Sequence, residues 1–173
     1  MKSSRMTSSA KSNIVVGLDL AEKLGMCVIN GDTKQLLFST SVKLSKAEED
    51  NRLVHLYKLL NKVIEKFSPD EVAIEDVFLP AKTSPRTPIS LGELRGVARL
   101  CAAEHELPVF FYPPRKVKMT ITGYGNASKQ DIIQWVQSEF NIKVRDDNEA
   151  DAISIAWTHI LERQFTKLAE NNE

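Results

Sequence analysis

The chain holds only two cysteines, Cys27 and Cys101. They lie far apart in apolar surroundings, with no CxxC pair and no nearby histidine. That excludes a disulfide framework and a zinc site and leaves two reduced core thiols, as in a cytosolic-type compartment. There is no excess charge of either sign, since 23 Lys and Arg face 23 Asp and Glu. Net charge therefore marks neither a nucleic-acid binder nor a membrane-surface protein. No apolar run reaches the length of a membrane span, and residues 1–13 are Ser- and Lys-rich without the apolar segment of a secretory signal. Internal repeats and low-complexity tracts are missing too. At 173 residues one core is expected, with a disordered arm at 1–13, a folded domain at 14–165 and a polar tail at 166–173. Met6 is a possible second start, and a soluble, cytoplasmic protein is the expectation.

What the chain does have is an uneven distribution of charge. Between Lys82 and Lys129 eight basic residues face three acidic ones, and the flanks are acidic. A basic middle beside acidic flanks suits a polyanion held next to carboxylates. The first carboxylate closes the run IVVGLDL at 14–20, which is apolar and β-branched enough to be a buried central strand. Asp19 at its end either begins a turn or emerges at a sheet edge where a cation, most simply a metal ion, compensates it. Runs at 25–30 and 35–42, separated by an Asn-Gly-Asp turn, predict a hairpin. Apolar residues at three- and four-residue spacing predict a packing helix over 46–67.

A second buried strand, 71–75, ends in Glu75. If it lies parallel beside the first, Asp19 and Glu75 meet at one edge of the sheet. Residues 80–88 carry three prolines and predict irregular chain. Thr87-Pro88 then starts a helix to about 105 that is apolar on two sides, which suits a sheet on one and a partner subunit on the other. A short strand at 107–112 and an irregular basic loop at 113–125 follow. Ser128 and Asp131 make a capping box, placing Lys129 in the first turn of the next helix, where the positive end suits a phosphate.

The acidic run from Asp146 to Asp151 opens the last helix. At about 100° per residue, Asp147 lies about 40° and Asn148 about 60° from Asp151, while Glu149 lies about 160° away. Asp147 or Asn148 can join Asp151 at a site, but hardly Glu149. Alone, such a run complements the helix dipole. Together with two strand-end acids it suits divalent-metal phosphoester chemistry, in which hard cations take carboxylate and water ligands.

Five segments carry a resemblance: GLDL around Asp19, AIEDVF ending at Phe78, LGELRGVA from Leu91, the stretch 107–129, and EADAISIA around Asp151. In that order they resemble the RuvC family of Holliday-junction resolvases, within the RNase H-like nuclease superfamily. The resemblance implies an α/β RNase H-like fold, a five-stranded mixed sheet flanked by helices on both faces. It implies an endonuclease using Mg²⁺ or Mn²⁺, two per site, that nicks four-way DNA as a homodimer and leaves 5′-phosphate and 3′-hydroxyl ends. A branch-migration helicase is a possible partner. Asp19, Glu75 and Asp151 become metal ligands, with Asn148 at the fourth position, where the family usually has Asp or His, and Asp147 as its substitute.

Lys118 and Lys129 would stabilise charge on the phosphoryl oxygens, and Phe78 would stack on an unpaired base. Lys82, Arg86, Arg115 and Lys116 would make phosphate contacts. Tyr124 approaches the DNA backbone or shapes its turn. The chain departs from the family at Leu20-Ala21, where Pro-Gly is usual, and in the proline-rich segment 79–90. Asn148 and the altered first motif also keep open a branched-DNA-binding dimer that cuts poorly. An actin-like kinase fragment shares the opening strand, acid and hairpin, but the short chain lacks a second phosphate-binding half.

Overall fold

The computed structural model describes residues 13–44, 49–76 and 86–170. Phe78 and Lys82 lie outside the described residues, as does the side chain of Arg86. Five strands, β1 (Ile14–Asp19), β2 (Lys23–Asn30), β3 (Gln35–Lys43), β4 (Glu71–Glu75) and β5 (Val109–Tyr112), form one mixed sheet in the order β3-β2-β1-β4-β5. The first three pair antiparallel, and β1–β4 and β4–β5 are parallel. Helices α1 (Glu49–Phe67) and α2 (Arg86–Glu104) pack on one face, while α3 (Pro114–Thr122), α4 (Lys129–Phe140) and α5 (Asp147–Glu170) pack on the other. This is the expected α/β architecture with helices on both faces.

Strand alternation explains the two cores. In β1, Val16 and Leu18 join the α1–α2 core, while Val15 points to the α5 side. In β4, Val72 and Ile74 face α1 and α2, and Ala73 faces α5. A period of two therefore puts Asp19 and Glu75 on the α5 face. The parallel register Leu18↔Ile74 brings these two acids side by side at the C-terminal edge.

Two glycines set how closely α5 approaches. A Cβ on Gly17 would stand 2.3 Å from the Ala152 carbonyl oxygen, and one on Gly25 only 1.9 Å from that of Asn148. Small residues on the helix, Ala152 and Ala156, meet them. Cys27 donates its thiol hydrogen to the Ala152 carbonyl at 3.2 Å, so the buried cysteine ties β2 to the helix. The first three turns of α5 are buried on nearly every side.

Residues 113–125, expected as irregular loop, contain helix α3. Pro114 occupies its first turn, where the missing N–H costs nothing, and Gly123 at φ 75° closes it. Val117 and Ile121, four residues apart, are its buried face. The last helix also continues to Glu170, past the expected start of a polar tail, with residues 165–170 exposed.

Candidate active site

Three elements deliver carboxylates to one place: β1 brings Asp19, β4 brings Glu75 and the start of α5 brings Asp151. They line a cavity of about 330 Å³ together with Asn148, Lys118 and Lys129. Asp19 is only 7% exposed. Asn148 donates an Nδ2 hydrogen to Asp19 Oδ2 at 3.0 Å, a contact made possible by the close approach at Gly25.

Burial and mutual repulsion make these acids hard to ionise. Burial, followed by the charges of Asp19 and Asp151, pushes the Glu75 carboxyl up to about 8. Burial, then the charge of Asp19, pushes Asp151 up to about 7. Asp19 is raised as well, chiefly by burial, against the bond from Asn148. Lys118 and Lys129 oppose the shift at Glu75 without cancelling it. Such an oxygen-rich, under-compensated set fits a hard divalent cation. Among the described residues no three acidic, imidazole or thiol groups form a ready-made ligand cluster.

The geometry separates Asp147, Asn148 and Glu149 at the start of α5. Asn148 lines the carboxylate cavity. Asp147 turns to an ion pair with Lys129 on the wall of an adjoining cleft. That bond is the main cause of the lowered Asp147 pKa and the raised Lys129 pKa. Glu149 faces the other way, buried, and accepts from Ser39 Oγ at 2.7 Å and from the Arg145 amide at 2.6 Å. It ties α5 to β3.

Lys118 points from α3 into the cavity. Lys116, two residues earlier, turns instead to Glu162 at 2.6 Å and lies outside the cavity. Arg115 is exposed, its stem covering Gly125, where a Cβ would stand 2.9 Å from Arg115 Cγ. Tyr124 is 60% exposed and lines an open cleft with Asp131 and Trp135. The capping box of Ser128 and Asp131 forms as expected and puts Lys129 at the first position of α4.

Three cations at the site's margins escaped the sequence reading. Arg95 on α2 lines a cleft shared with Asp19 and Glu75. Lys23 and Lys43 line another beside Lys129. Two lysines at the outer ends of the hairpin strands were a usable signal, but only for strands extended to 23 and 43. Arg95 lies in the basic middle and in the LGELRGVA segment, but its place beside the carboxylates depends on how α2 packs.

A model of the family described as crossover junction endodeoxyribonuclease RuvC matches residues 15–159. The RuvC protein of Thermotoga maritima is 35% identical over 153 residues, covering 87% of this chain and 90% of its own length. That of Haemophilus ducreyi is 35% identical over 150 residues, covering 84% and 77%. The structure of Thermus thermophilus RuvC in complex with a Holliday junction substrate superposes with a TM-score of 0.80 at 28% identity, over 88% of this chain and 96% of that one. The yeast mitochondrial Holliday junction resolvase Ydc2, at 15% identity and a TM-score of 0.59 over 89% of this chain and 83% of that one, shares the fold. With its strand-end acids, its helix-start acid and its lysines gathered on one cavity, the chain belongs to the RuvC family of crossover junction endodeoxyribonucleases.

Proposed function

We propose that this protein is a metal-dependent, structure-selective DNA endonuclease that resolves Holliday junctions in recombination and repair. It makes paired symmetric nicks with 5′-phosphate and 3′-hydroxyl ends. The observation that carries the reading is the convergence of Asp19, Glu75 and Asp151 with Lys118 and Lys129 on one cavity, in a chain matched by the RuvC model over 15–159.

Asp19, Glu75 and Asp151 are the residues to hold Mg²⁺ or Mn²⁺, two per site, with Asn148 completing the set through its amide oxygen. When bound, such ions supply Lewis acidity that activates the attacking water and offsets charge on the leaving oxygen. Asn148 fixes the Asp19 carboxylate by its amide hydrogen, and an amide flip would present oxygen in its place. Lys118 and Lys129 donate to the non-bridging phosphoryl oxygens, where charge accumulates in the displacement. By the resemblance alone, Phe78 would stack on an unpaired base at the crossover, and Lys82, Arg86 and Arg115 would contact phosphates. Lys116, engaged with Glu162, has a weaker case.

Two symmetric nicks need two sites related by a twofold axis, which an isologous homodimer supplies. The outer face of α2 suits part of that interface. Ile89 and Leu100 are 63% and 57% exposed, and nothing lies within 4 Å of a Cβ built on Gly92 or Gly96. A branch-migration helicase would be the natural partner, in the cytoplasm of the host. The second reading, a junction-binding dimer with weak cleavage, is favoured by Asn148, which brings no charge to the fourth position.

The test is an end-labelled four-way junction and a matched linear duplex, incubated in Mg²⁺, Mn²⁺ and Ca²⁺ beside Asp19→Asn. Symmetric nicks in the junction only, lost in the variant, are expected. A shifted but uncut junction in every metal selects the binding reading. Metal-dependent cutting retained by Asp19→Asn removes that residue from the mechanism.

A further inference from the structure

Two clefts open from the carboxylate cavity. One shares Asp19, Ala21 and Glu75 with it and is walled by Arg95. The other, of about 540 Å³, shares Ala21, Lys129 and Asn148 with it and is walled by Lys23 and Lys43. Both clefts carry cations beside acids, Arg95 with Asp76 in the first and Lys23, Lys43 and Lys129 with Glu22 and Asp147 in the second. Arg95 sits over the Phe111 ring, 3.8 Å from its centroid, and donates to Asp76 at 2.9 Å. Lys23 pairs with Asp146, and Lys129 with Asp147.

The Lys23–Lys43 pair is unusual as strand chemistry. The two stand directly opposite each other on antiparallel β2 and β3, a register in which like charges repel. Lys43 is exposed beside the cleft. Asp146 accounts for Lys23, whereas Lys43, with no such partner among the described residues, stands on the wall of a cleft in which a bound anion would compensate it.

We propose that the nicked strand runs through these connected cavities, its scissile phosphate over the carboxylates and the neighbouring phosphates gripped by Arg95 on one side and by Lys23 with Lys43 on the other. The proposal rests on the nuclease reading of the carboxylate site. A phosphodiester chain carries one negative charge per nucleotide, so consecutive charges meet consecutive cation clusters. Arginine offers a planar fork to two phosphate oxygens, and the lysines act as point charges. Contacts of this kind position the strand without reading its bases.

The test uses the full chain with Lys43→Gln, Arg95→Lys and a control, Lys58→Gln, on the exposed side of α1. Each variant is checked for an unchanged thermal transition. Junction affinity is measured against salt, and kcat and KM are measured for cleavage. Substrates carry one uncharged methylphosphonate on either side of the scissile phosphate.

Lys43→Gln is expected to lower the slope of log K against log salt by about 0.9, the value for one lost phosphate contact, and to raise KM with kcat retained. The methylphosphonate on one neighbour weakens wild-type binding but adds nothing in Lys43→Gln. Arg95→Lys keeps the slope, loses affinity, and couples to the opposite neighbour. The proposal is overturned if Lys43→Gln matches Lys58→Gln in slope and KM. It is also overturned if the variant and methylphosphonate effects add in full, or if both residues couple to the same neighbour. A wild-type protein that neither binds nor cuts the junction removes the nuclease reading itself.

Discussion

Glu71 and Glu75 sit on the same strand, four residues apart, and by alternation face the same helix, yet their surroundings are opposite. At the N-terminal end of β4, Glu71 is answered by the protein. His159 Nε2 lies 2.6 Å from one of its oxygens and Arg163 2.8 Å from the other. Tyr112 completes the chain by a 2.7 Å bond to His159 Nδ1. His159 is fully buried, and burial holds its pKa below the ordinary range, so the neutral ring accepts from Tyr112 and donates to Glu71. At the C-terminal end, Glu75 meets two more acids and is pushed up to about 8. One carboxylate is satisfied internally and serves the fold. The other is left for something outside the chain to satisfy, which is how a charge site differs from a structural ion pair.

The largest effect should come from inverting which end is lost. Glu75→Gln is expected to reduce junction nicking by on the order of 10³-fold, as removal of several kcal/mol of metal-borne stabilisation requires, while the metal-free protein melts no lower than wild type. Glu71→Gln is expected to keep nicking and lose about 1–3 kcal/mol of stability, because a buried network loses a partner. Thermal melts and single-turnover cleavage check both. A Glu71→Gln protein that folds normally and cannot cut would collapse the distinction.

Gly25→Ala should damage both ends unequally. Its Cβ must displace the α5 backbone at Asn148, costing about 1–3 kcal/mol by overpacking and shifting Asn148 and Asp151 away from Asp19. Cleavage should fall more than urea stability accounts for, and unchanged cleavage would mean that α5 slides freely.

The two ends also differ in pH response. The Glu75 and Asp151 carboxyls are raised to about 8 and about 7, above the roughly 4 of unfolded carboxylates. Between those values the folded state binds more protons than the unfolded one, so stability falls as pH rises. In EDTA the melting temperature should decline from pH 5 to pH 8.5, Mg²⁺ should restore it most at the alkaline end, and Glu75→Gln should flatten the decline. A melting temperature in EDTA that rises over this range would contradict the shared burial of the three acids.

The smallest effect is expected from Asn148→Asp, which adds a fourth charge to the cavity. Half-maximal cleavage should move to lower Mg²⁺ concentration, with reduced metal-free stability at pH 8. An unchanged Mg²⁺ dependence would place residue 148 outside the ligand set.

Much of this contrast could be read in the chain. Apolar β-branched runs ending in Asp19 and Glu75 announced buried strands with acids at one edge, and angular counting set Asn148 or Asp147, rather than Glu149, beside Asp151. The choice between Asp147 and Asn148 stayed open because both angles are small. In the structure Asn148 lines the cavity, while Asp147 pairs with Lys129, which α4 brings within reach. Pro113-Pro114 and Gly123 look like breakers and predict a loop where α3 forms. In place, Pro114 starts the helix and Gly123 ends it, and the pair Val117 and Ile121 was the signal overlooked. Lys116 and Lys118 diverge for the same reason, since two residues on a helix point about 160° apart, toward Glu162 and toward the cavity.

The sequence by itself determined the elements that carry the acids and, through side-chain period, the face each acid takes, because alternation and helical rotation are local geometry. Only the tertiary structure decided which charges are answered. The pairing of Glu71 with a histidine 88 residues away, the isolation of Glu75 and the flanking of the cavity by Arg95, Lys23 and Lys43 depend on close packing of α5, α2 and the hairpin. Electrostatic compensation is a property of distance and burial, and no local pattern encodes either.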